Sequence, residues 1–419
     1  MLGGLGDVKK IPELRKRVFF TLGLLAVYRF GVFVSTPGID VEALRRLFDT
    51  GDGTLFGLIN MFSGGALENF SIFTLGITPY ISVSIIMQFL MKSVPALEQL
   101  RKQGEQGRRI ITRYTRQGTI ALAIFQSFVI AMGLENQGLV VAPGLIFRLT
   151  TVATLTAGTA FIMWLGEQIT EKGIGNGISI LITAGIVARM PEVFVSTLAL
   201  SRTGEIAPIA VLLLFAFCLG TIAFIVFVER AHRRIPVQYP RRQVGNRMAE
   251  VPPQYMPLKV NTAGVIPPIF ASAFMVVPAT IAGFSSSELV DEMMQYLNPN
   301  SLSYMLIFVI LIFIFAYFYT AMIIDPNEIA EDLKKRGGFI PTVRPGKQTA
   351  EYLYGVLNRL TFYGAIYISL VCLVPQVMYT QLGAQMFAFV FGGTAVLIVV
   401  GVTLDTASQI ESHVVAQNY

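Results

Sequence analysis

Two histidines, His232 and His413, and two cysteines, Cys218 and Cys372, are the whole stock of imidazole and thiol groups in 419 residues. They do not stand at metal-ligand spacing, and the sequence has no His-Glu-x-x-His, no Gly-x-Ser-x-Gly and no paired acids within an apolar stretch. Both cysteines fall inside apolar runs, where a thiol acts as a small core hydrophobe, and they suggest no disulfide framework. Gly346-Lys347 is the nearest approach to a phosphate-binding loop, but it lacks the earlier glycine and the hydroxyl residue after the lysine. Gly173, Gly175 and Gly177 do not have dinucleotide spacing and follow no strand; they read as room for a helix to start tightly against a neighbour. No cofactor, metal or catalytic residue is expected. The chain reads as a non-enzyme, and any uphill work must draw its energy from elsewhere.

Charge placement excludes a second class of chemistry. Carriers coupled to protons or sodium keep ionisable groups near the bilayer midplane, where they are costly and functional. Here Glu167, Glu229, Asp325, Glu351 and Asp405 all fall at the ends of apolar stretches. Arg29 lies five residues from the end of its stretch and can snorkel to the interface. Arg359 is the ambiguous case. This pattern disfavours a coupled carrier with broken helices, which stands as the alternative reading, and an intramembrane hydrolase fails for want of a nucleophile and base.

The elements that must position any function are membrane spans. The chain is 53% hydrophobic and 14% charged, with a mean hydropathy of +0.62. A crossing needs ~20 mostly apolar residues. Ten windows qualify: 18–34, 72–91, 117–134, 149–166, 174–188, 207–228, 263–283, 303–324, 352–373 and 385–404. The fifth is short and closed by Arg189. Alternate loops, counted from the N-terminus, carry most of the 32 lysines and arginines. By the positive-inside rule those loops and both termini are cytoplasmic. No cleavable signal peptide is evident, so the first crossing is expected to serve as its own insertion signal.

Residues 1–17 have the spacing of a basic amphipathic helix at the cytoplasmic interface. Residues 18–195 hold five crossings, 196–206 an external hinge loop, 207–404 five more crossings, and 405–419 a cytoplasmic tail. Within the external excursion after the first crossing, 55–70 reads as a half-helix broken at glycine and Asn69, followed by a crossing with Pro79 inside it. Non-spanning backbone at membrane depth is tolerated only where it is buried in protein or lines a water-filled path. The segment therefore points to a conduit with a movable piece at its mouth. The cytoplasmic loops 229–262 and 325–351 are long for connections and carry strand-like runs at 234–239 and 337–341. Both read as ordered protrusions.

An ordered series of motifs runs over almost the whole chain: Ile11-Pro-Glu-Leu-Arg-Lys-Arg17, Tyr28-Arg-Phe-Gly31, Pro37-Gly-Ile39, Asn60-Met-Phe-Ser-Gly-Gly65, Gly76-Ile-Thr-Pro-Tyr-Ile81, Gly104-Glu-Gln-Gly-Arg-Arg109, Gly173-Ile-Gly-Asn-Gly-Ile178, Val251-Pro-Pro253, Gly264-Val-Ile-Pro267 and Arg344-Pro-Gly346. In these motifs and their order the chain resembles the SecY family, the channel subunits of the bacterial protein-export machinery. The resemblance implies an all-α polytopic membrane protein of ten transmembrane helices in two pseudo-symmetric five-helix halves, a clamshell with a plug. The implied function is to pass unfolded secretory polypeptides across the bacterial cytoplasmic membrane and to release transmembrane segments laterally into it.

Matched motif to motif, the resemblance places a pore ring at Ile77, Ile81, Ile182, Ile186, Ile269 and Ile398. Each alone reads equally as a packing or lipid-facing isoleucine. The plug would be the half-helix at Asn60, Met61, Phe62, Ser63, Gly64 and Gly65, with the two glycines letting it swing. The second and seventh crossings would form the lateral gate, bent by Pro79 in one and Pro267, Pro268 and Pro278 in the other. Gln88, Gln126 and Asn261 would tune that gate, or else glue helices together as polar residues in membranes do. Arg241, Arg242 and Arg344 would dock the SecA motor ATPase or ribosomal RNA, although the positive-inside rule alone accounts for most of the arginines. The further partners implied are SecE- and SecG-like subunits, signal sequences and membrane lipids. The sequence departs from the family in ending at Tyr419 without a basic tail, which leaves the contacts of such a tail unsupported.

Overall fold

The computed structural model describes residues 11–40, 44, 64–136, 138–204, 206–239, 243–244, 247–248, 254–282, 301–381, 387 and 390–417. Twelve helices stand among them: α1 Pro12–Gly31, α2 Thr78–Ser93, α3 Pro95–Lys102, α4 Glu105–Asn136, α5 Leu145–Lys172, α6 Gly177–Thr203, α7 Pro208–Glu229, α8 Ile266–Ala282, α9 Leu302–Ile323, α10 Pro326–Lys335, α11 Lys347–Gln381 and α12 Gly393–Gln417. Each of the ten apolar windows carries one of them. Seven (α4, α5, α6, α7, α9, α11 and α12) are long and apolar enough to cross a bilayer. Of the other three, α1 carries charge in its first turns, and α2 and α8 have only 16 and 17 residues.

Helix starts follow local chemistry. Proline occupies the first turn of α1, α2, α3, α7 and α10, where its missing N–H costs nothing. The Asn176 side chain accepts from the amides of Ile178 and Ser179, Ser301 from Tyr304 and Asp325 from Asn327, capping α6, α9 and α10. Inside the spans, hydroxyls turn back on their own helices. Thr119, Ser127, Thr159 and Thr361 donate to carbonyls four residues earlier and so stay satisfied in an apolar setting. Helices approach closely at glycine. A Cβ at Gly177 would lie 1.9 Å from the Gly166 carbonyl oxygen, so α5 and α6 meet backbone to backbone at the glycine run.

The spans form two five-helix groups. α1, α2, α4, α5 and α6 pack among themselves, and α7, α8, α9, α11 and α12 do likewise. The groups meet along α2 and α8 on one edge, and along α6 with α7 and α12 on the other. Among the described residues, the strands lie in the arginine-rich loop between α7 and α8. β1 His232–Val237 and β4 Gln254–Lys259 pair antiparallel from His232↔Lys259 to Val237↔Gln254, with β2 Gln243–Val244 and β3 Arg247–Met248 pairing between them.

Several boundaries differ from the sequence reading. α6 does not end at 188 but runs through Arg189 and Pro191 to Thr203, so the external loop expected at 196–206 shrinks to the link 204–207. The expected tail 405–419 is helical as far as Gln417, continuous with α12. No separate surface helix precedes the first span within the described residues, because α1 begins at Pro12 and continues into it. The second span starts at Thr78 rather than 72. Pro79 is therefore in its first turn and is no internal kink, and Pro267 and Pro268 likewise sit in the first turn of α8. α11 has 35 residues, roughly 52 Å of helix against a hydrocarbon core of ~30 Å, so it is longer than a crossing needs and projects beyond the bilayer, and Arg359 on it is exposed.

Candidate functional site

The site begins with irregular backbone. Residues 64–77 lie between α1 and α2 as successive turns, and most of the half-helix expected at 55–70 lies outside the described residues. Positive φ values at Gly64 (65°), Gly65 (88°) and Gly76 (55°) fold the chain back, and Phe70 (40°) shares that strained region. The backbone is satisfied by its own neighbours: Thr36 N–H donates to Phe70 C=O at 2.8 Å, Ile72 N–H to Val34 C=O at 2.9 Å and Ser71 N–H to Ala66 C=O at 2.8 Å. The segment is deeply buried, with Ala66, Phe70, Ser71, Phe73 and Thr74 nearly inaccessible. This is the arrangement in which non-helical chain survives at membrane depth. Of the six expected plug residues, Gly64 and Gly65 are seen here and are buried, while Asn60, Met61, Phe62 and Ser63 lie outside the described residues.

Beside this segment sits one aliphatic cluster. Ile77, Ile182, Ile186 and Ile398 are buried in it and Ile81 and Ile269 pack against it partly buried, so all six expected ring residues come together. They arrive on four spans of both groups. Ile77 caps α2, its carbonyl accepting from Ile81 N–H at 3.1 Å; Ile182 and Ile186 stand one turn apart on α6; Ile269 comes from α8 and Ile398 from α12. Tyr28, Phe73, Leu181, Ala395 and Val265 share the cluster and were not singled out from sequence. Nothing in residue type separates them from ordinary core.

The expected gate residues separate. Gln88 on α2 and Gln126 on α4 are each half-buried, with no hydrogen-bond partner among the described residues. Asn261 is 1% exposed and its amide is used within the second group, donating to Glu229 at 2.7 Å and to Gly264 C=O at 3.1 Å. The edge between α2 and the second group is instead closed by other contacts. Ile81 and Ile85 pack against the core of the second group. Phe89 stacks on Phe318 of α9 with ring centroids 3.7 Å apart, and Lys92 Nζ donates to Ala321 C=O at 3.2 Å. Ala321 lies in the last turn of α9, where carbonyls lack helical partners and attract cations.

Two arginines prove to be part of the site. Arg29 does not snorkel: it donates to Gly64 C=O at 2.7 Å and lies 5.0 Å from the Phe33 ring centroid. Arg189, taken from sequence as the end of a crossing, sits inside α6 and donates to Glu68 at 2.8 Å. On the opposite side of the molecule the two long loops join. Gln238 and Phe339 exchange backbone hydrogen bonds at 2.8 and 2.9 Å, and Ile235, Leu258 and Ile340 bury against Leu353, Leu357 and Leu360 of projecting α11. Arg344 is exposed beside this unit, whereas Arg241 and Arg242 lie outside the described residues.

The SecY family model matches residues 71–407. A protein translocase subunit SecY of Escherichia coli (strain K12) is 47% identical over 425 aligned residues, covering 100% of this chain and 94% of that relative. Among solved structures, a SecY whose plug domain is described as stabilising the closed state of the translocation channel superposes with a TM-score of 0.66 at 17% identity, covering 98% of this chain and 97% of that one. Sec61 in a canine ribosome–channel complex from the endoplasmic reticulum gives 0.65 at 16% identity, with the same coverage.

Proposed function

Because the chain belongs to the SecY family of protein translocase subunits, we propose that it forms a protein-conducting membrane channel that passes unfolded polypeptides across and releases apolar segments sideways into lipid. The observation that carries this reading is the aliphatic cluster drawn from both five-helix groups and seated against the buried turn segment 64–77. A narrow aliphatic waist excludes ions and water by dewetting. It also offers an extended chain no hydrogen-bonding side chain to stick to. The six isoleucines form the waist, and the segment ending at Phe70 covers it as the plug. Parting of α2 from α8 and α9 opens the lateral route, through which a signal sequence's apolar core gains by leaving water for lipid.

In this reading the chain sits in the cytoplasmic membrane of a bacterial cell with both termini and the joined protrusions in the cytoplasm, an orientation that the basic residues of alternate loops support. SecE- and SecG-like subunits complete the channel. The SecA ATPase or a translating ribosome supplies the drive, docking on Arg344 and on Arg241 and Arg242. The test is reconstitution of the chain with SecE, SecG, SecA, ATP and a secretory precursor in sealed vesicles. ATP-dependent, protease-protected precursor is expected. Its absence, where the Escherichia coli complex succeeds in the same vesicles, would overturn the reading.

A further inference from the structure

Arg189 lies twelve residues into the 27-residue α6, roughly 18 Å from its start, well inside a spanning helix. An ionisable group at such depth is expensive and marks function, with its partner the informative part. The partner is Glu68 of the turn segment, whose carboxylate lies 2.8 Å from the guanidinium. Arg189 is only 13% exposed and Glu68 29%, so water screens the pair far less than a surface one. Glu192 is a weaker neighbour of the same arginine at 3.9 Å. From the other side of the segment, Arg29 of α1 grips the Gly64 carbonyl at 2.7 Å.

The floor between these grips is bare backbone. A Cβ at Gly64 would lie 2.9 Å from the Cα of Gly185, one helical turn before Arg189 on the same face of α6. One helix thus presents Ile182 and Ile186 to the aliphatic cluster, Gly185 to the floor of the segment and Arg189 to its carboxylate.

We propose that Arg29 and Arg189 are plug-positioning residues: a charge latch that holds residues 64–68 against α1 and α6 and keeps the resting channel shut. The proposal rests on the channel reading above and adds to it the residues that set the closed state. Since the ring isoleucines and the latch share α6, a movement of α6 that widens the waist strains the Arg189–Glu68 contact as well. Opening of the waist and release of the plug are thereby coupled.

The test measures resting potassium chloride current of the full channel complex in planar bilayers, with Ile81→Asn as the leak reference. Glu68→Gln and Arg189→Gln are each expected to raise the resting current on the order of tenfold, the population shift that ~1.4 kcal/mol produces. The double exchange Glu68→Arg with Arg189→Glu restores the seal, and Arg189→Lys, which keeps the charge, leaks less than Arg189→Gln. A role in packing alone would give no rescue by charge exchange. The latch is wrong if the two glutamine variants stay sealed while Ile81→Asn leaks. It is equally wrong if the exchange and the lysine variant leak as much as the glutamine variants. If Ile81→Asn also stays sealed, the channel reading itself fails.

Discussion

In the proposed waist, isoleucine at 77, 81, 182, 186, 269 and 398 would work through what it lacks: no donor, no acceptor and no charge to hold water. An amide introduced there recruits water and, at Ile182, which is 5% exposed, must also be buried without an assured partner. That burial costs ~1–3 kcal/mol. Ile81→Asn and Ile182→Asn are therefore expected to give a several-fold larger resting ion current in planar bilayers while the complex still assembles; currents equal to the unmodified channel would argue that these residues only pack. From composition alone such isoleucines cannot be told from core, and the family motifs alone picked them out. The arginines were harder. Arg29 and Arg189 read as snorkelling and helix-ending residues because a sequence shows a charge but not its partner, and Glu68 stands 121 positions from Arg189.

Elements were legible where the pattern is local and obscured where tertiary contacts override it. The glycine run at 173–177 forecast a close helix start, and the strand-like run at 234–239 overlaps β1. The end of α6 was missed because Arg189 and Pro191 are both stop signals in an isolated helix. A carboxylate on the adjacent segment satisfies the one, and packing in a membrane protein tolerates the other. The long loops emerge as one folded unit, joined by the Gln238–Phe339 bridge and rooted on α11 by Ile235, Leu258 and Ile340. Within it Thr342 holds a φ of 72°, a strained conformation for a β-branched residue, two positions before Arg344. Strain of this kind persists only where the surroundings over-determine it, often at a binding site. The exposed Arg344 side chain can be reversed without disturbing its backbone, whose carbonyl accepts from Thr349 at 2.9 Å. Arg344→Glu is expected to cut SecA-driven translocation at least ~10-fold, as reversal of a docking charge does, with resting conductance unaltered. Undiminished ATP-dependent export in vesicles would remove Arg344 from the docking surface.

Across the whole molecule, the two edges between the helix groups are built differently. On one, α6 continues through the four-residue link 204–207 into α7, and α12 packs against both, so covalent chain and side-chain contacts coincide. On the other, the span α2 meets α8 and α9 with no short chain link between them: Ile81 and Ile85 against the second core, the Phe89–Phe318 stack, and Lys92 on the Ala321 carbonyl in the last turn of α9. The proposed opening motion would pivot on the linked edge and part the unlinked one. The family resemblance pointed to this edge through Gln88, Gln126 and Asn261, yet the contacts seen to close it are aliphatic and aromatic, residue types the spans use throughout, with one lysine at a span end. Replacing Phe89 and Phe318 with cysteine, in a background with Cys218 and Cys372 changed to serine, allows a short thiol-specific reagent to bridge the edge. Bridging is expected to abolish membrane insertion of apolar segments and to stop export of precursors that must lodge a signal sequence there, in proportion to the crosslinked fraction seen on gels. A cleavable bridge should restore both on reduction. Full insertion through a bridged channel would place the lateral exit elsewhere and remove α2, α8 and α9 from the gate.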